Sequence, residues 1–480
     1  MLIILLWNLI ISTQNYFIKN FVMDITKLSA YDYILPKEFI AQKAHKPADK
    51  CKLLYCKIKN NNIVLKDLVF KDILNLISKN DVLFFNNSKV IKARIIGDYW
   101  WFVKWLSEDH KNLHKADKVK FFIIKNWQEK ECKNCEILFL SKINENNIWE
   151  IQMKSDKEKI KNRYTKVVSQ YKKTYSEINS KWQNHQISVF EALVKPGKKL
   201  KPWVKVKILA DKEYWFEIID YTPNGRIIKY LWEDDIFDVL EKIWKIPLPP
   251  YIRYSKKKEK TYQPIQARKA GSVAASTASL HFTTRLFKKL NQKWVKILES
   301  TLHIWIWTFK TVDVEDITNY DIHQEKVEIP LNIFEEIWNL KQQWKNIIAV
   351  GTTVTRILES LPYLYKVLQK INSEDYQKIK NLFFENLVKS ISQDEVKKFI
   401  PSKPVISNWQ ISFYTKLYIY PGFKYKLIDK LITNFHLPKS SLLMLVAAFM
   451  WYENMKIAYQ HAIKNNYKFF SFGDAMFIEK

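Results

Sequence analysis

Glycine is scarce in this sequence. The chain of 480 residues holds 7 glycines, whereas average usage would give roughly 34. Tryptophan is frequent, with 18 copies, and several stand where a turn is expected: Trp127 and Trp409 each follow an asparagine, Trp203 follows a proline, and Trp344 lies in the polar stretch KQQWKN. Turns often need a positive φ, which glycine accepts and a bulky side chain resists. We therefore hypothesise that most of these tryptophans are UGA codons that the source organism reads as glycine. The alternative is a chain that is simply rich in tryptophan.

Cysteine is also scarce, with Cys51, Cys56, Cys132 and Cys135 as its four copies. Cys132 and Cys135 form a CxxC pair, but no second pair with ligand spacing accompanies it, and a structural zinc site needs four ligands. The pattern indicates reduced thiols in a cytoplasmic protein that holds no metal.

The apolar run at residues 2–11 is too short to span a bilayer. No basic residue precedes it and no clean small-residue cleavage site follows it, so a signal peptide fits poorly. Met23 opens a segment of ordinary soluble character, MDITKLSAYDYILP. We predict that translation starts at Met23 and that residues 1–22 are a non-native extension. A short membrane anchor is the alternative.

Acidic residues are in deficit, with 49 Asp and Glu against 78 Lys and Arg, which gives a net charge of +29. Such a surplus favours a polyanionic partner, most simply nucleic acid. An AT-rich genome, which inflates lysine, asparagine and isoleucine, is the other cause we consider. The 47% of hydrophobic residues indicates a globular protein.

The pattern of predicted helices and strands changes twice along the sequence. Helix-like and strand-like segments alternate before residue 98 and after about residue 230, whereas strand-like runs such as KVKFFII, EILFLSK and VKVKILA fill the part between. We predict a discontinuous α/β catalytic domain, 23–97 plus 231–480, with an inserted small all-β, barrel-like second domain at 98–230. The Lys-rich insertion near 105–185 receives no function.

The segment NIIAVGTTVTRILES predicts a strand, a Gly-Thr-Thr loop and a helix. Gly351 would present backbone N–H groups and the positive end of a helix dipole to an anion. Thr352 or Thr353 is expected to cap the helix. Many strand-to-helix turns look like this, so the signal is weak by itself.

Two further segments end apolar strands with polar residues. LITNFHLPKSSLLMLVAAF places Asn434, His436 and Lys439 after a strand, followed by a serine-capped helix. KFFSFGDAMFI ends a strand at Asp474, which could bind ribose hydroxyls or merely close a turn. Ligands in open α/β sheets gather at the C-terminal ends of strands.

The stretch AGSVAASTASLHFTTRLF begins with small residues, which allow a ligand or another backbone to approach closely. His281 within it is a candidate acid–base residue. The alternative is close packing around a histidine with satisfied hydrogen bonds. His323 and Glu325 offer one more histidine–carboxylate pair, which does not make a metal site alone.

These segments together resemble one family, the S-adenosylmethionine:tRNA ribosyltransferase-isomerases of queuosine biosynthesis. The matching stretches occur in the family's order, cover most of residues 29–97 and 190–480, and include DVLFFNNSKVIKARIIG, YQPIQARKAGSVAASTASLHFT, IIAVGTTVTRILES and LITNFHLPKSSLLMLVAAF. At six tryptophans the family typically has glycine, which supports codon reassignment: Trp203, Trp244, Trp305, Trp307, Trp344 and Trp451.

The resemblance implies a transferase that moves and isomerises the ribosyl moiety of S-adenosylmethionine onto 7-aminomethyl-7-deazaguanine at the wobble position of tRNA. The products would be epoxyqueuosine-tRNA, adenine and methionine. It implies tRNA as partner, no metal, no membrane and a cytoplasmic protein, for which we predict a monomer. A non-catalytic RNA-binding protein and an S-adenosylmethionine-dependent RNA methyltransferase are the alternatives.

The roles that follow from this resemblance are predictions. The predicted catalytic residues are His281, His436, Asp474 and Glu359. The residues predicted to bind S-adenosylmethionine are Gly351, Thr352, Thr353, Thr277 and Asn434. The residues predicted to contact RNA are Lys439, Arg356, Lys89 and Arg94.

Overall fold

The computed structural model of the protein describes residues 24–60, 62–91, 94–96, 120–125, 128–131, 136–143, 189–195, 197–209, 213–221, 225–230, 247–249, 251–253, 255–304, 311–370 and 388–480. The chain divides into two compact units, one comprising Met1–Lys89 and Leu248–Lys480, the other Val90–Pro247. The domain bounds predicted from the sequence stay a prediction. The extension at residues 1–22 and most of the stretch 105–185 lie outside the described residues.

The strands in chain order are β1 (Lys52–Lys59), β2 (Asn62–Val69), β3 (Asp81–Asn86), β4 (Ser88–Val90), β5 (Arg94–Ile96), β6 (Lys120–Lys125), β7 (Gln128–Glu131), β8 (Glu136–Ile143), β9 (Val189–Lys195), β10 (Lys205–Leu209), β11 (Glu213–Tyr221), β12 (Arg226–Tyr230), β13 (Lys269–Ser272), β14 (Lys296–Leu302), β15 (Glu325–Pro330), β16 (Asn346–Val350), β17 (Val405–Ser407), β18 (Gln410–Thr415), β19 (Lys430–Asn434) and β20 (Ala475–Glu479). The α-helices are α1 (Ile73–Leu76), α2 (Lys256–Thr261), α3 (Thr284–Gln292), α4 (Leu331–Gln342), α5 (Thr352–Leu368), α6 (Gln393–Phe399), α7 (Ser441–Met450) and α8 (Tyr452–Lys464).

The first unit contains a ten-stranded mixed sheet in the order β17-β18-β15-β14-β3-β16-β19-β20-β1-β2. The central strands β14, β3, β16 and β19 run parallel to one another. Antiparallel strands flank them, with β15 beside β14 and β20 beside β19. This sheet with its helices confirms the predicted α/β class. Because parallel strands end at a common edge, the C-terminal ends of the four central strands lie on one side of the sheet.

Alternate residues of the central strands face two cores, because side chains along a strand point to opposite faces. In β3, Val82 and Phe84 pack with α4, α5, α7 and α8 in one cluster, and Leu83 and Phe85 pack with α1 and α3 in another. All six residues of β3 are buried. This is why the strand reads as a continuous apolar run, as expected where helices cover both faces of a parallel sheet.

The helix α5 starts directly after β16, with Gly351 as its N-cap at φ +98°. Our prediction that Thr352 or Thr353 caps this helix is wrong, since both lie in its first turn. The tight passage from strand to helix needs a positive φ, which threonine resists. No side chain caps the helix, and the first N–H groups of a helix have no acceptor within it. The serine cap predicted for α7 is confirmed: the Leu443 N–H donates to Ser440 Oγ at 3.2 Å.

The second unit contains an eight-stranded sheet in the order β5-β8-β9-β12-β11-β10-β6-β7. Every neighbouring pair is antiparallel. Along β11, Tyr214, Phe216 and Ile218 are buried and alternate with more exposed residues, which is the two-residue period of a sheet with one face on a core.

Tryptophan occupies half of the left-handed backbone positions. Among the described residues, ten non-glycine residues have a positive φ, and five of them are Trp203, Trp294, Trp344, Trp409 and Trp451. All five are exposed, from 61% at Trp451 to 92% at Trp344. Since 18 of 480 residues are tryptophan, this concentration supports the hypothesis that these positions carry glycine in the source organism. The sequence analysis did not single out Trp294.

Several residues singled out from the sequence lie outside the described residues: Trp127, Trp244, Trp305, Trp307, Cys132 and Cys135. Cys51 and Cys56 are buried and free. No helix in the described part of the chain combines the length and the apolar character needed to cross a bilayer.

Candidate active site

A cavity opens in the first unit at the C-terminal ends of β16 and β19. Its walls are the segments 274–278, 351–353, 433–434, 436–437 and 470–471, together with Tyr251, Ile304, Thr311, Ser440 and Leu442. Ligands of open α/β sheets bind at this edge, beyond the carboxyl ends of neighbouring strands. The cavity is therefore the first candidate for an active site.

One wall of the cavity is built from glycine and small side chains. A Cβ on Gly351 would lie 3.3 Å from Ser276 Oγ and 3.5 Å from Ala278 Cβ, so the glycine and the small-residue segment are in close contact. Thr352 and Thr353, the first residues of the 17-residue helix α5, line the cavity beside it. Uncapped N–H groups and the helix dipole favour an anion at such a point. The wall can therefore hold a carboxylate or a phosphate.

Asn434, the last residue of β19, also lines the cavity. Its Nδ2 donates to the carbonyl oxygen of Phe470 at 3.0 Å and lies 3.2 Å from His281 Nε2. The other ring nitrogen of His281, Nδ1, lies 3.2 Å from Cys51 Sγ. His281 is buried, and burial lowers its pKa to about 4. The cavity is lined by its neighbours Thr277 and Ala278 and not by His281 itself.

His436 is the histidine that does line the cavity. Its Nε2 lies 2.8 Å from Thr433 Oγ1, and its backbone N–H donates to the Tyr459 hydroxyl at 3.0 Å. Burial lowers the pKa of His436 to about 3, because taking an imidazolium away from water costs free energy. The ring is therefore neutral at physiological pH.

Glu359 and Arg356 lie on the buried side of α5, away from the cavity lining. The Glu359 carboxylate accepts hydrogen bonds from the backbone N–H groups of 426–428 at 2.8, 2.9 and 3.0 Å. Burial nevertheless raises the pKa of Glu359. Arg356 is paired with Glu325, and its Nε donates to the carbonyl oxygen of Leu417 at 3.0 Å. The geometry gives both side chains protein partners, and their predicted roles stay predictions.

Asp474 is also buried and bonded to the backbone. Its carboxylate accepts hydrogen bonds from the N–H groups of Lys52 at 2.8 Å and Lys468 at 2.7 Å, and its Oδ1 lies 3.5 Å from His45 Nε2. It is absent from the cavity lining. Our prediction that a strand ends at Asp474 is wrong, because this residue comes directly before β20. Asp474 ties β1 to the turn before that strand, and a contact with ribose hydroxyls stays a prediction.

The predicted RNA contacts are spread over the surface and interior. The Lys439 ammonium lies 2.6 Å from the Asp32 carboxylate and is 41% exposed. Lys89 is exposed on β4. Arg94 lies on β5, and its side chain is outside the described part of the structure. Arg356 is buried, in contrast to Lys89 and Lys439.

Sequence reasoning missed two pairs near the site. The hydroxyls of Tyr251 and Ser471, both in the cavity lining, lie 2.8 Å apart. The sequence analysis gave Tyr251 no role. Cys51 was missed because a cysteine between Lys50 and Lys52 gives no signal for a contact with His281, 230 residues away.

His323 Nε2 lies 3.5 Å from Glu325 Oε1, so the predicted histidine–carboxylate pair exists in space. Among the described residues, no group of three histidine, cysteine, aspartate or glutamate side chains is arranged to hold a metal ion. The expectation of no metal stays a prediction.

Comparison with known proteins gives consistent names. A sequence model of the family described as a queuosine biosynthesis protein matches residues 28–478. The S-adenosylmethionine:tRNA ribosyltransferase-isomerase of Halothermothrix orenii is 32% identical over 94% of this chain and 99% of its own length. Proteins of the same name from Fusobacterium nucleatum and Thermosipho melanesiensis are 33% and 34% identical over 94% of this chain and over 97% and 99% of their own lengths. A crystal structure of an S-adenosylmethionine tRNA ribosyltransferase from Thermotoga maritima is 24% identical, with a TM-score of 0.40, covering 94% of this chain and 99% of that chain.

Proposed function

The chain belongs to the S-adenosylmethionine:tRNA ribosyltransferase-isomerases of queuosine biosynthesis, and we propose on that premise that its cavity carries out the reaction of the family. The substrates are S-adenosylmethionine and a tRNA that bears 7-aminomethyl-7-deazaguanine at the wobble position. The enzyme transfers and isomerises the ribosyl moiety and forms epoxyqueuosine-tRNA, adenine and methionine.

The observation that carries this proposal is the cavity at the ends of β16 and β19. It combines an uncapped helix N-terminus, a wall of glycine and small residues, and a neutral buried histidine. We assign the carboxylate of S-adenosylmethionine to the N–H groups at Thr352 and Thr353. Thr277 and the small residues around it leave room for the sugar to lie against the backbone.

We assign proton transfer to His436. The positive sulfonium of S-adenosylmethionine acidifies the adjacent C5′ hydrogens, so a neutral imidazole in contact with the substrate can remove one. The ribose then opens and adenine leaves, and the proton taken by His436 can return to the departing base. The tRNA-borne amine attacks the sugar, and closure of the epoxide expels neutral methionine.

The surplus of 29 positive charges supports tRNA binding. Lys89 and Lys439 present exposed ammonium groups, and we propose them for phosphate contacts together with Arg94. The burial of Arg356 and its pairing with Glu325 favour a structural role for that side chain. We further propose a cytoplasmic, monomeric protein whose residues 98–230 form an inserted all-β, barrel-like domain. Seven of the eight strands in the antiparallel sheet lie in this range and support the proposal.

Product analysis tests the proposed function. The full chain is incubated with S-adenosylmethionine and the modified tRNA, and the small molecules are separated by mass spectrometry. We expect adenine and methionine in equal amounts, together with a tRNA gaining a cyclopentane-epoxide nucleoside. S-adenosylhomocysteine would instead show a methyltransferase. Tight tRNA binding with unchanged S-adenosylmethionine would show an RNA-binding protein without turnover.

A further inference from the structure

The side-chain amide of Asn434 is held in one orientation. Its two N–H bonds are directed to the carbonyl oxygen of Phe470, at 3.0 Å, and to His281 Nε2, at 3.2 Å. A flipped amide would set its own oxygen against the Phe470 carbonyl, where no proton is available. The amide nitrogen is therefore fixed by the protein, and the oxygen Oδ1 points elsewhere.

Asn434 Oδ1 is buried and has no hydrogen-bond partner among the described residues. The residue is 2% exposed and lines the cavity. Buried polar atoms are nearly always hydrogen-bonded, because leaving one unpaired costs free energy. A ligand bound in the cavity that Asn434 lines can therefore supply the donor that this acceptor lacks.

The orientation of the amide depends on His281. Because Nε2 accepts from Asn434, the neutral imidazole carries its proton on Nδ1, which faces Cys51 Sγ at 3.2 Å. The ring also stacks near Phe70, with centroids 5.1 Å apart. Both ring nitrogens thus have protein partners, and none is left for a substrate.

We infer that Asn434 is a specificity-determining residue whose Oδ1 accepts a hydrogen bond from an N–H or O–H donor of the substrate, and that His281 is the positioning residue that holds the amide in this orientation. The inference rests on the proposed function for the identity of the substrate. Three groups of S-adenosylmethionine supply such a donor: the α-ammonium, the ribose hydroxyls and the 6-amino group of adenine.

A matched pair of amide variants tests the role of His281. A glutamine side chain places its amide near the position of Nε2, and an asparagine side chain places its amide near that of Nδ1. His281→Gln therefore keeps an acceptor for Asn434, whereas His281→Asn keeps only the contact with Cys51. We expect His281→Gln to retain a KM for S-adenosylmethionine within about threefold of wild type, and His281→Asn to raise it about tenfold, both with little change in kcat.

The same pair of variants can overturn the inference. A large loss of kcat in both, with KM unchanged, would show that His281 takes part in the chemistry. Equal KM values in both would show that it does not position Asn434. The pH dependence of kcat adds a readout, since His281→Gln should leave its shape unchanged. Adenine release by the wild-type enzyme tests the proposed function separately, so the two failures are distinguishable.

Asn434→Ala, probed with two substrate fragments, identifies the donor. Methylthioadenosine carries the ribose hydroxyls and the adenine 6-amino group, and S-methylmethionine carries the α-ammonium. We expect calorimetry to show about tenfold weaker binding for one fragment, and that fragment carries the donor. If Asn434→Ala, folded as judged by circular dichroism, binds both fragments and S-adenosylmethionine as wild type does, Oδ1 accepts nothing from the substrate and the inference is wrong.

Discussion

Replacing Trp344 with glycine should stabilise the protein, although it removes the largest side chain. Trp344 has φ +55° in the turn before β16 and is 92% exposed. A left-handed conformation costs an L-residue roughly 1–2 kcal/mol, and glycine avoids this cost. The unfolded chain with glycine has more conformational entropy, which reduces this gain in stability by about 0.5–1 kcal/mol. The small buried fraction of the indole contributes about 0.5 kcal/mol at about 25 cal/mol per Å².

At the midpoints of these ranges the expected net gain for Trp344→Gly is about 0.3 kcal/mol. Trp294 has φ +59° and is 85% exposed, so the loss of its larger buried area costs about 0.9 kcal/mol, and Trp294→Gly should leave the stability nearly unchanged. The double variant should therefore stay within about 0.5 kcal/mol of wild type. The matched control is Trp338→Gly. Trp338 lies inside α4 and packs on the main core, so glycine there should cost about 2–3 kcal/mol through lost packing and helix propensity.

Urea unfolding followed by circular dichroism measures these differences without relying on tryptophan fluorescence. The reasoning is refuted if Trp344→Gly and Trp294→Gly lower the midpoint as Trp338→Gly does, because the backbone strain would then be absent. Mass spectrometry of peptides from the native organism tests the codon hypothesis itself. An indole found at Trp344 would show that the chain is simply rich in tryptophan.

Three further predictions follow from the site. Gly351→Ala should raise the KM for S-adenosylmethionine at least about tenfold, because a Cβ is disfavoured by φ +98° and by Ser276 Oγ at 3.3 Å. Steady-state kinetics measure this, and an unchanged KM would show that the close contact between Gly351 and Ser276 does not matter for binding. The pKa values of His281 and His436 are lowered to about 4 and about 3. Their stabilising contribution is thus complete above about pH 6.5 and lost as pH falls toward 4, at up to about 1.4 kcal/mol per pH unit for each histidine. When the urea midpoint is plotted against pH, the line for His281→Gln should be less steep than the line for the wild-type protein. Equal slopes would show that burial of His281 does not cause the loss of stability at low pH. The KM for tRNA should rise at least about tenfold between about 50 and about 200 mM salt while that for S-adenosylmethionine stays constant; a salt-independent tRNA KM would exclude a large phosphate contribution.

The predicted anion-binding turn shows which features the local sequence pattern predicts correctly. The order strand, glycine, helix in NIIAVGTTVTRILES was readable from apolar periodicity, and β16, Gly351 and α5 confirm it. The residue that caps the helix was not readable from the sequence. The choice between Gly351 and the threonines depends on the backbone angle that the neighbouring strand and Ser276 impose. Hydrophobic runs identify elements well, whereas the residue that ends an element is decided by its contacts.

The two histidines show what the sequence does not predict. The sequence analysis predicted both His281 and His436 as catalytic residues, since both follow small or polar residues near a predicted cavity wall. Burial and partners separate them: His436 lines the cavity, whereas His281 lies between Cys51 and Asn434. Those partners are 230 and 153 residues away in the chain, so no local pattern could reveal them.

By itself the sequence determined the α/β class, the strand ends that could hold a ligand, and the glycine-like nature of several tryptophan positions, because these depend on periodicity and on local backbone angles. Only the tertiary structure decided which polar residues meet at the cavity, which are consumed by backbone hydrogen bonds as in Glu359 and Asp474, and which acceptor is left unpaired. The physical reason is that hydrogen-bond satisfaction and burial are set by residues distant in the chain and become defined only when the sheet is assembled.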